Sequence, residues 1–233
     1  MDKEQPQIPN TCRVERELFE GDAAQEERVK RICDEIDGGF TALRKYDLAA
    51  TFFGSARCGA GDETYRAAEE LAGNLARAGF TIITGGGPGI MAAANKGAKD
   101  AGGQSVGFNI ELPEEQGLNH NTTDSYEFHY FFARKLMLTY ASEVYVYFPG
   151  GFGTLDEFFE IATLVQTGRI ESIPIILYGG EYWEPLLSWM HETLLDTYST
   201  ISPEDTAIFT LVDSAQEAYD AVMQLVPRCK SNT

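Results

Sequence analysis

The chain has 233 residues, 43% of them hydrophobic, which suits one α/β domain with a sizeable core and is short for two. Its 36 acidic residues against 18 basic ones leave a net charge of −18, which argues against non-specific nucleic-acid binding, since that needs Lys and Arg to replace counterions. Four scattered cysteines with no CxxC pair argue against zinc, and the lack of an 18-residue apolar run argues against a membrane span, so the chain reads as cytoplasmic with free thiols.

Residues 1–22 are polar and acidic and read as a flexible or loosely docked arm, followed by a single domain over 23–233. In "AAQEERVKRICDEIDGGFTAL" (23–43), Val29, Ile32 and Ile36 fall at helical spacing, which predicts an accessory helix that Gly38 and Gly39 break. Strand-like and helix-like runs then alternate. "LAATFFG" (48–54) reads as a buried strand, and "ETYRAAEELAGNLARAG" (63–79) as a helix stopping at Gly79. "FTIITGG" (80–86), the small-residue helix 89–102 and "SVGFNI" (105–110) follow, then a polar loop (114–125) and a short strand over 126–130. A helix over 132–141 leads to the strand "EVYVYFP" (143–149) and a helix over 154–168. The strand 173–179, a helix over 182–195 with Pro185 near its first turn, the strand 207–212 and a helix over 214–226 complete the chain. Ser214 and Glu217 fit a capping box for that last helix.

Apolar strands alternating with helices predict a doubly wound, Rossmann-like, mostly parallel sheet with helices on both faces. Ligands bind such sheets at the carboxyl ends of the strands. Glycine clusters fall there: Gly54, then Gly85, Gly86 and Gly87, then Gly150 and Gly151.

Each glycine junction has a plain reading beside a functional one. "GGFGT" (150–154) lets the backbone approach an anion closely, with helix N–H groups and the helix dipole pointing at it. The same residues also make an ordinary strand-to-helix turn with Thr154 as N-cap. "TGGGPGIMAAANKGA" (84–98) is neither a dinucleotide fingerprint nor a P-loop. Its glycines suit a loop under a ligand or close helix–sheet packing. "FFGSARCG" (52–59) is a third junction, with Ser55 and Arg57 near the strand end. Asp156, Glu157 and Glu160 suit the dipole of a helix start, and Glu157, three residues beyond Thr154, also fits a capping box. Arg134 and Lys135 form a basic pair in an apolar stretch, while His120 and His129 lack a partner at metal spacing.

Three ordered motifs, "GGGPGIM" (85–91), "ARK" (133–135) and "PGGFGTLDE" (149–157), closely resemble the LONELY GUY family, whose pattern PGGxGTxxE is met at every fixed position. The resemblance runs from about Ala49 to Gln224, and the longer N-terminal arm is similar to that of the longer bacterial subgroup. It implies hydrolysis of the N-glycosidic bond of a cytokinin riboside 5′-monophosphate or of AMP, giving free base and ribose 5-phosphate. It also implies a homodimer or larger oligomer whose site uses both chains. Arg134 and Glu157 would be catalytic, and Gly150, Gly151, Gly153 and Thr154 would hold the 5′-phosphate. Lys135 and Met137 would lie near the nucleotide, with Gly54, Ser55, Gly86, Gly87, Met91 and Glu160 completing the substrate contacts. No metal or redox cofactor is implied. Members of the family are often labelled lysine decarboxylases, yet no lysine here sits in a setting suited to a pyridoxal phosphate Schiff base. Molybdenum cofactor carriers of the wider superfamily bind without hydrolysing and set the competing class.

Overall fold

The computed structural model of the protein describes residues 22–111 and 119–230. Most of the N-terminal arm and the first part of the polar loop therefore lie outside the described residues. Seven strands form one sheet: β1 (Ala49–Phe53), β2 (Thr81–Thr84), β3 (Ser105–Ile110), β4 (Asp124–Phe128), β5 (Val144–Tyr147), β6 (Ile175–Tyr178) and β7 (Thr210–Val212). Their order is β4-β3-β2-β1-β5-β6-β7, and every neighbouring pair is parallel.

The period-2 alternation of strand side chains sorts the apolar residues into two cores. Ala50, Phe52, Val144 and Val146 face one side, where α2 (Glu63–Arg77), α3 (Ile90–Asp100) and α7 (Ala215–Lys230) cover them. Ala49, Phe53, Tyr145 and Tyr147 face the other, beneath α1 (Asp22–Leu43), α4 (Phe131–Thr139), α5 (Phe152–Gln166) and α6 (Gly180–Trp189). Burial on both faces is why the central strands read as uninterrupted apolar runs. The chain is thus wound from β1 outward through β4 on one side and from β5 outward through β7 on the other. The crevice where the winding reverses opens between β1 and β5, at their carboxyl ends.

Several local expectations shift. Helix α1 runs unbroken through Gly38 and Gly39 to Leu43. Gly39 serves close packing: a methyl there would overlap the fully buried Met137 of α4. The Glu35 carboxylate of α1 accepts the backbone N–H groups of His129 and Tyr130 at 3.2 Å each, so α1 steadies the start of α4. Gly79 does end α2, with φ 98 and the N–H of Phe80 bonded to Leu75 O at 3.0 Å. β4 starts at Asp124, inside the stretch read as loop, because its backbone pairs with β3 from Val106 onward. Helix α6 begins at Gly180, which places Pro185 beyond its first turn, and a π-helical segment, Met190–Thr197, extends it. At the start of α7, Ser214 Oγ accepts the Glu217 N–H at 3.2 Å, but the Glu217 carboxylate takes the N–H of Asp213, one residue earlier than a capping box requires. Cys33 and Cys58 are free thiols.

Candidate active site

A cleft of about 1110 Å³ opens at the crevice between β1 and β5. The loops leaving β1, β2 and β5 and the first turns of α4 and α5 line it, so the three glycine junctions and the basic pair converge on one space. The junctions are knitted together by backbone bonds. Ser55 N donates to Pro149 O at 3.0 Å, and Ile90 N donates to Ser55 O at 3.0 Å. Gly54 lies against Ile90, where a Cβ would come within 2.8 Å of three of its carbons.

Helix α5 begins at Phe152, with Gly151 as an N-cap that makes no side-chain cap bond. The first intrahelical donor at this end is Leu155 N, bonded to Gly151 O at 3.1 Å. The N–H groups of Phe152, Gly153 and Thr154 therefore have no intrahelical partner, and all three residues line the cleft. This corrects the reading of Thr154 as N-cap. It is the third residue of the helix, buried, and its side chain fills the space a Cβ at Gly150 would need. Tyr182 Oη, from α6, donates to Gly150 O at 2.8 Å and holds the turn.

The earlier helix start also removes the capping box proposed for Glu157, which now lies in the second turn, out of reach of the N-cap. Burial raises the Glu157 carboxyl from its ordinary 4.5 to about 7, against the pull of Lys135 and Arg134 and with a lesser push from Asp156. Tyr147 Oη bonds to Glu157 O at 3.1 Å from the core below. Arg134 is anchored by two carbonyls at the strand ends, Phe108 O at 2.6 Å from Nε and Gly85 O at 3.0 Å from Nη2. Burial depresses its pKa and the charge of Glu157 opposes that shift. A guanidinium stays protonated regardless.

Of the other residues marked in the sequence, Gly54, Ser55, Met91, Lys135, Gly150, Gly151, Gly153 and Thr154 all line the cleft. Four do not. Met137 is fully buried and packs towards Gly39 and Phe128. Gly86, at φ 71, is buried and donates to Thr84 Oγ1 at 3.0 Å, and Gly87 is buried beside it. Glu160 lies behind the cleft wall, its Oε2 3.0 Å from Lys135 Nζ at an angle that makes no hydrogen bond. Lys135 Nζ bonds instead to Asp156 Oδ2 at 2.6 Å. The cleft also takes in Phe131, Phe132, Phe152, Tyr182 and Arg57. The first two adjoin the ARK motif, whereas nothing in the local sequence points from Tyr182 to a glycine loop 32 residues away. Among the described residues no group of three or more His, Cys, Asp or Glu side chains is arranged to hold a metal.

The sequence model of a protein family described as "Possible lysine decarboxylase" matches residues 91–222, more than half the chain. The chain is 28% identical over 158 residues to a cytokinin riboside 5′-monophosphate phosphoribohydrolase of Rhodococcoides fascians, covering 65% of this chain and 78% of that protein. The chain belongs to the LONELY GUY family. A second relative, named as a probable enzyme of the same activity in Oryza sativa subsp. japonica, is also 28% identical and covers 87% of this LONELY GUY chain and 88% of its own. The fold is shared more widely. The molybdenum cofactor carrier protein of Chlamydomonas reinhardtii superposes with a TM-score of 0.59 at 22% identity, covering 77% of this chain and 98% of that one. The family description is at odds with the cleft. Lys135 is the one lysine among the residues lining it, and two carboxylates flank its ammonium, the opposite of the apolar setting that makes a lysine amine nucleophilic.

Proposed function

We propose that this protein hydrolyses the N-glycosidic bond of nucleoside 5′-monophosphates, AMP or its N6-prenylated derivatives, to free base and ribose 5-phosphate. The observation that carries the reading is the pairing, in one cleft, of an uncapped helix N-terminus with a half-buried carboxyl raised to about 7. The first is an anion site. The second is a group able to exchange protons at neutral pH. Breaking the bond at C1′ builds oxocarbenium-like charge on the ribose, which the ionised Glu157 offsets while it activates water. Arg134, immobile on its two carbonyls, binds the nucleotide beside it and keeps Glu157 partly ionised near neutrality. The names of the curated relatives support the same activity.

The test incubates the pure protein with AMP, with isopentenyladenosine 5′-monophosphate and with the two matching nucleosides, and follows free base by chromatography. Base is expected from at least one monophosphate, with kcat/KM about 10³-fold above its nucleoside, because the N–H cradle has nothing to grip without the anion. Binding of the monophosphates without release of base would instead favour a carrier, the role named for the Chlamydomonas protein of the same fold.

The reading includes a homodimer or larger closed oligomer. Phe131, Phe132 and Phe152, at 63, 53 and 93% exposure, leave an apolar rim at the cleft that a second copy would cover. Light scattering at assay concentration is expected to give at least twice the monomer mass. A fully active monomer would refute the assembly.

A further inference from the structure

We propose that Arg57, and not Lys135, neutralises the phosphate of the substrate. The proposal rests on the glycosidase reading and assigns the charge within its phosphate subsite.

The uncapped N-terminus of α5 supplies hydrogen bonds but only about half a positive charge. A phosphomonoester carries about −1.5 to −2 at neutral pH. The protein as a whole carries −18, so its general field worsens the deficit. A cation at the cleft has to make up the difference, and three basic residues line it: Arg57, Arg134 and Lys135.

Two of the three are committed elsewhere. Arg134 hangs on Phe108 O and Gly85 O, and its charge acts on Glu157. Lys135 is bracketed by Asp156 and Glu160 on α5. To serve a phosphate it would have to leave one carboxylate and strand the other, whose Oε2 is already buried without a hydrogen bond. Arg57 is different. It is exposed, and among the described residues its guanidinium makes no hydrogen bond and has no carboxylate within 4.0 Å.

The backbone beneath it is held in place. Arg57 N donates to Ser55 Oγ at 3.1 Å, and Ser55 N donates to Pro149 O, the residue immediately before Gly150. On the other side Gly89, at φ 70, fits so tightly under Ser55 and Ala56 that any Cβ there would overlap their backbone. The loop that carries Arg57 is therefore fastened to the turn that carries the phosphate cradle. A long side chain on a fixed stem, with a free planar fork, suits a phosphomonoester, which it can bind through two parallel N–H···O bonds.

The experiment uses the full chain with Arg57→Ala and Arg57→Lys. Arg57→Ala is expected to weaken binding of ribose 5-phosphate, followed by calorimetry, by about 30–100-fold, the scale of a charge-assisted pair. KM for the 5′-monophosphate should rise by a similar factor, with kcat within about 3-fold of wild type and turnover of the nucleoside unchanged, because the nucleoside presents no charge to Arg57. Arg57→Lys should recover part of the loss, since it keeps the charge and loses the fork. Equal losses on nucleotide and nucleoside, an unchanged affinity for ribose 5-phosphate, or a wild-type protein that does not bind ribose 5-phosphate would each overturn the proposal. Calorimetry reads the phosphate site without turnover. A protein that binds ribose 5-phosphate through Arg57 but releases no base therefore upholds Arg57 and defeats the glycosidase reading alone.

Discussion

Glu157→Gln is expected to lower kcat on a nucleoside 5′-monophosphate by at least about 10²-fold, the scale of one positioned acid–base or electrostatic group, and at the same time to stabilise the fold at pH 8. The amide keeps the shape of the side chain and removes only the charge and the titration. Affinity for the nucleotide should change much less, because the proposed phosphate cradle, the free N–H groups of Phe152, Gly153 and Thr154, does not include the Glu157 side chain. The stability gain follows from the raised carboxyl. With an unfolded value near 4.5 and a folded value near 7, the native state holds the proton more tightly than the unfolded chain. That contribution is fully present below about 4.5 and is lost as pH rises through about 7. At pH 8 the wild type carries an ionised, half-buried carboxylate and glutamine does not. After allowance for the solvent that reaches an open cleft, the difference is about 1–3 kcal/mol, or several degrees in Tm. At pH 4.5 the two proteins should melt together. Wild-type kcat/KM should rise with pH through about 7 and level off above it, and the variant should lose that limb. A folded Gln variant with near wild-type kcat would remove Glu157 from the mechanism. One that is inactive yet no more stable at pH 8 would mean that burial does not raise the carboxyl.

Gly85→Ala is expected to damage activity about as severely as Arg134→Ala, by roughly 10²-fold in kcat/KM, although the change adds one methyl to a backbone turn. The methyl would overlap Arg134 Nη2 and approach Met91 Sδ to 3.0 Å. The thioether can swing aside at small cost. The guanidinium cannot, because Phe108 O fixes its Nε at 2.6 Å and Gly85 O accepts from the very nitrogen being displaced. The two substitutions act through one group, so their effects should not add. The double variant is expected within about 3-fold of Arg134→Ala, where independent sites would multiply the two losses. Full additivity would mean that Gly85 serves the site by some route other than seating Arg134. A melting curve for each variant separates a displaced side chain from a collapsed loop.

Both predictions concern residues that the sequence brought to notice, but for reasons of different depth. The glycine junctions were legible because their chemistry is local. A strand that ends in glycine and runs into a helix must leave N–H groups free, whatever surrounds it. The resemblance to PGGxGTxxE then fastened attention on Glu157 by position alone. Reading Thr154 as the cap failed by three residues, and that small slip matters, because it offered Glu157 a structural occupation that the folded helix does not provide. Helix ends are set by where the preceding strand delivers the chain, which local propensity records poorly.

The basic residues show where sequence pattern stops. "ARK" announces two cations and cannot say which is already paired, because the partners of Lys135 lie a full turn apart on α5 and meet it only when α4 packs beside that helix. Arg57 carried no weight in the sequence for the converse reason, since a cation is recognised as unpartnered only once every neighbour is placed. Met137 was placed near the nucleotide by the family resemblance alone, yet α4 turns it inward against α1, whose Gly39 leaves room for it.

The sequence by itself determined what repeats along the chain: apolar strands covered on both faces, the alternation that makes the sheet parallel, and glycines at the strand ends. Periodicity and backbone freedom belong to consecutive residues, so they can be read without the fold. Only the tertiary structure decided that β1 and β5 lie side by side, and with them the crevice, the burial that raises Glu157 to about 7, and the contacts that hold Arg134 and Lys135. Those are properties of distance through space. Desolvation and Coulomb interaction depend on which atoms surround a charge, and here the surrounding atoms come from segments about twenty to a hundred residues apart in the chain.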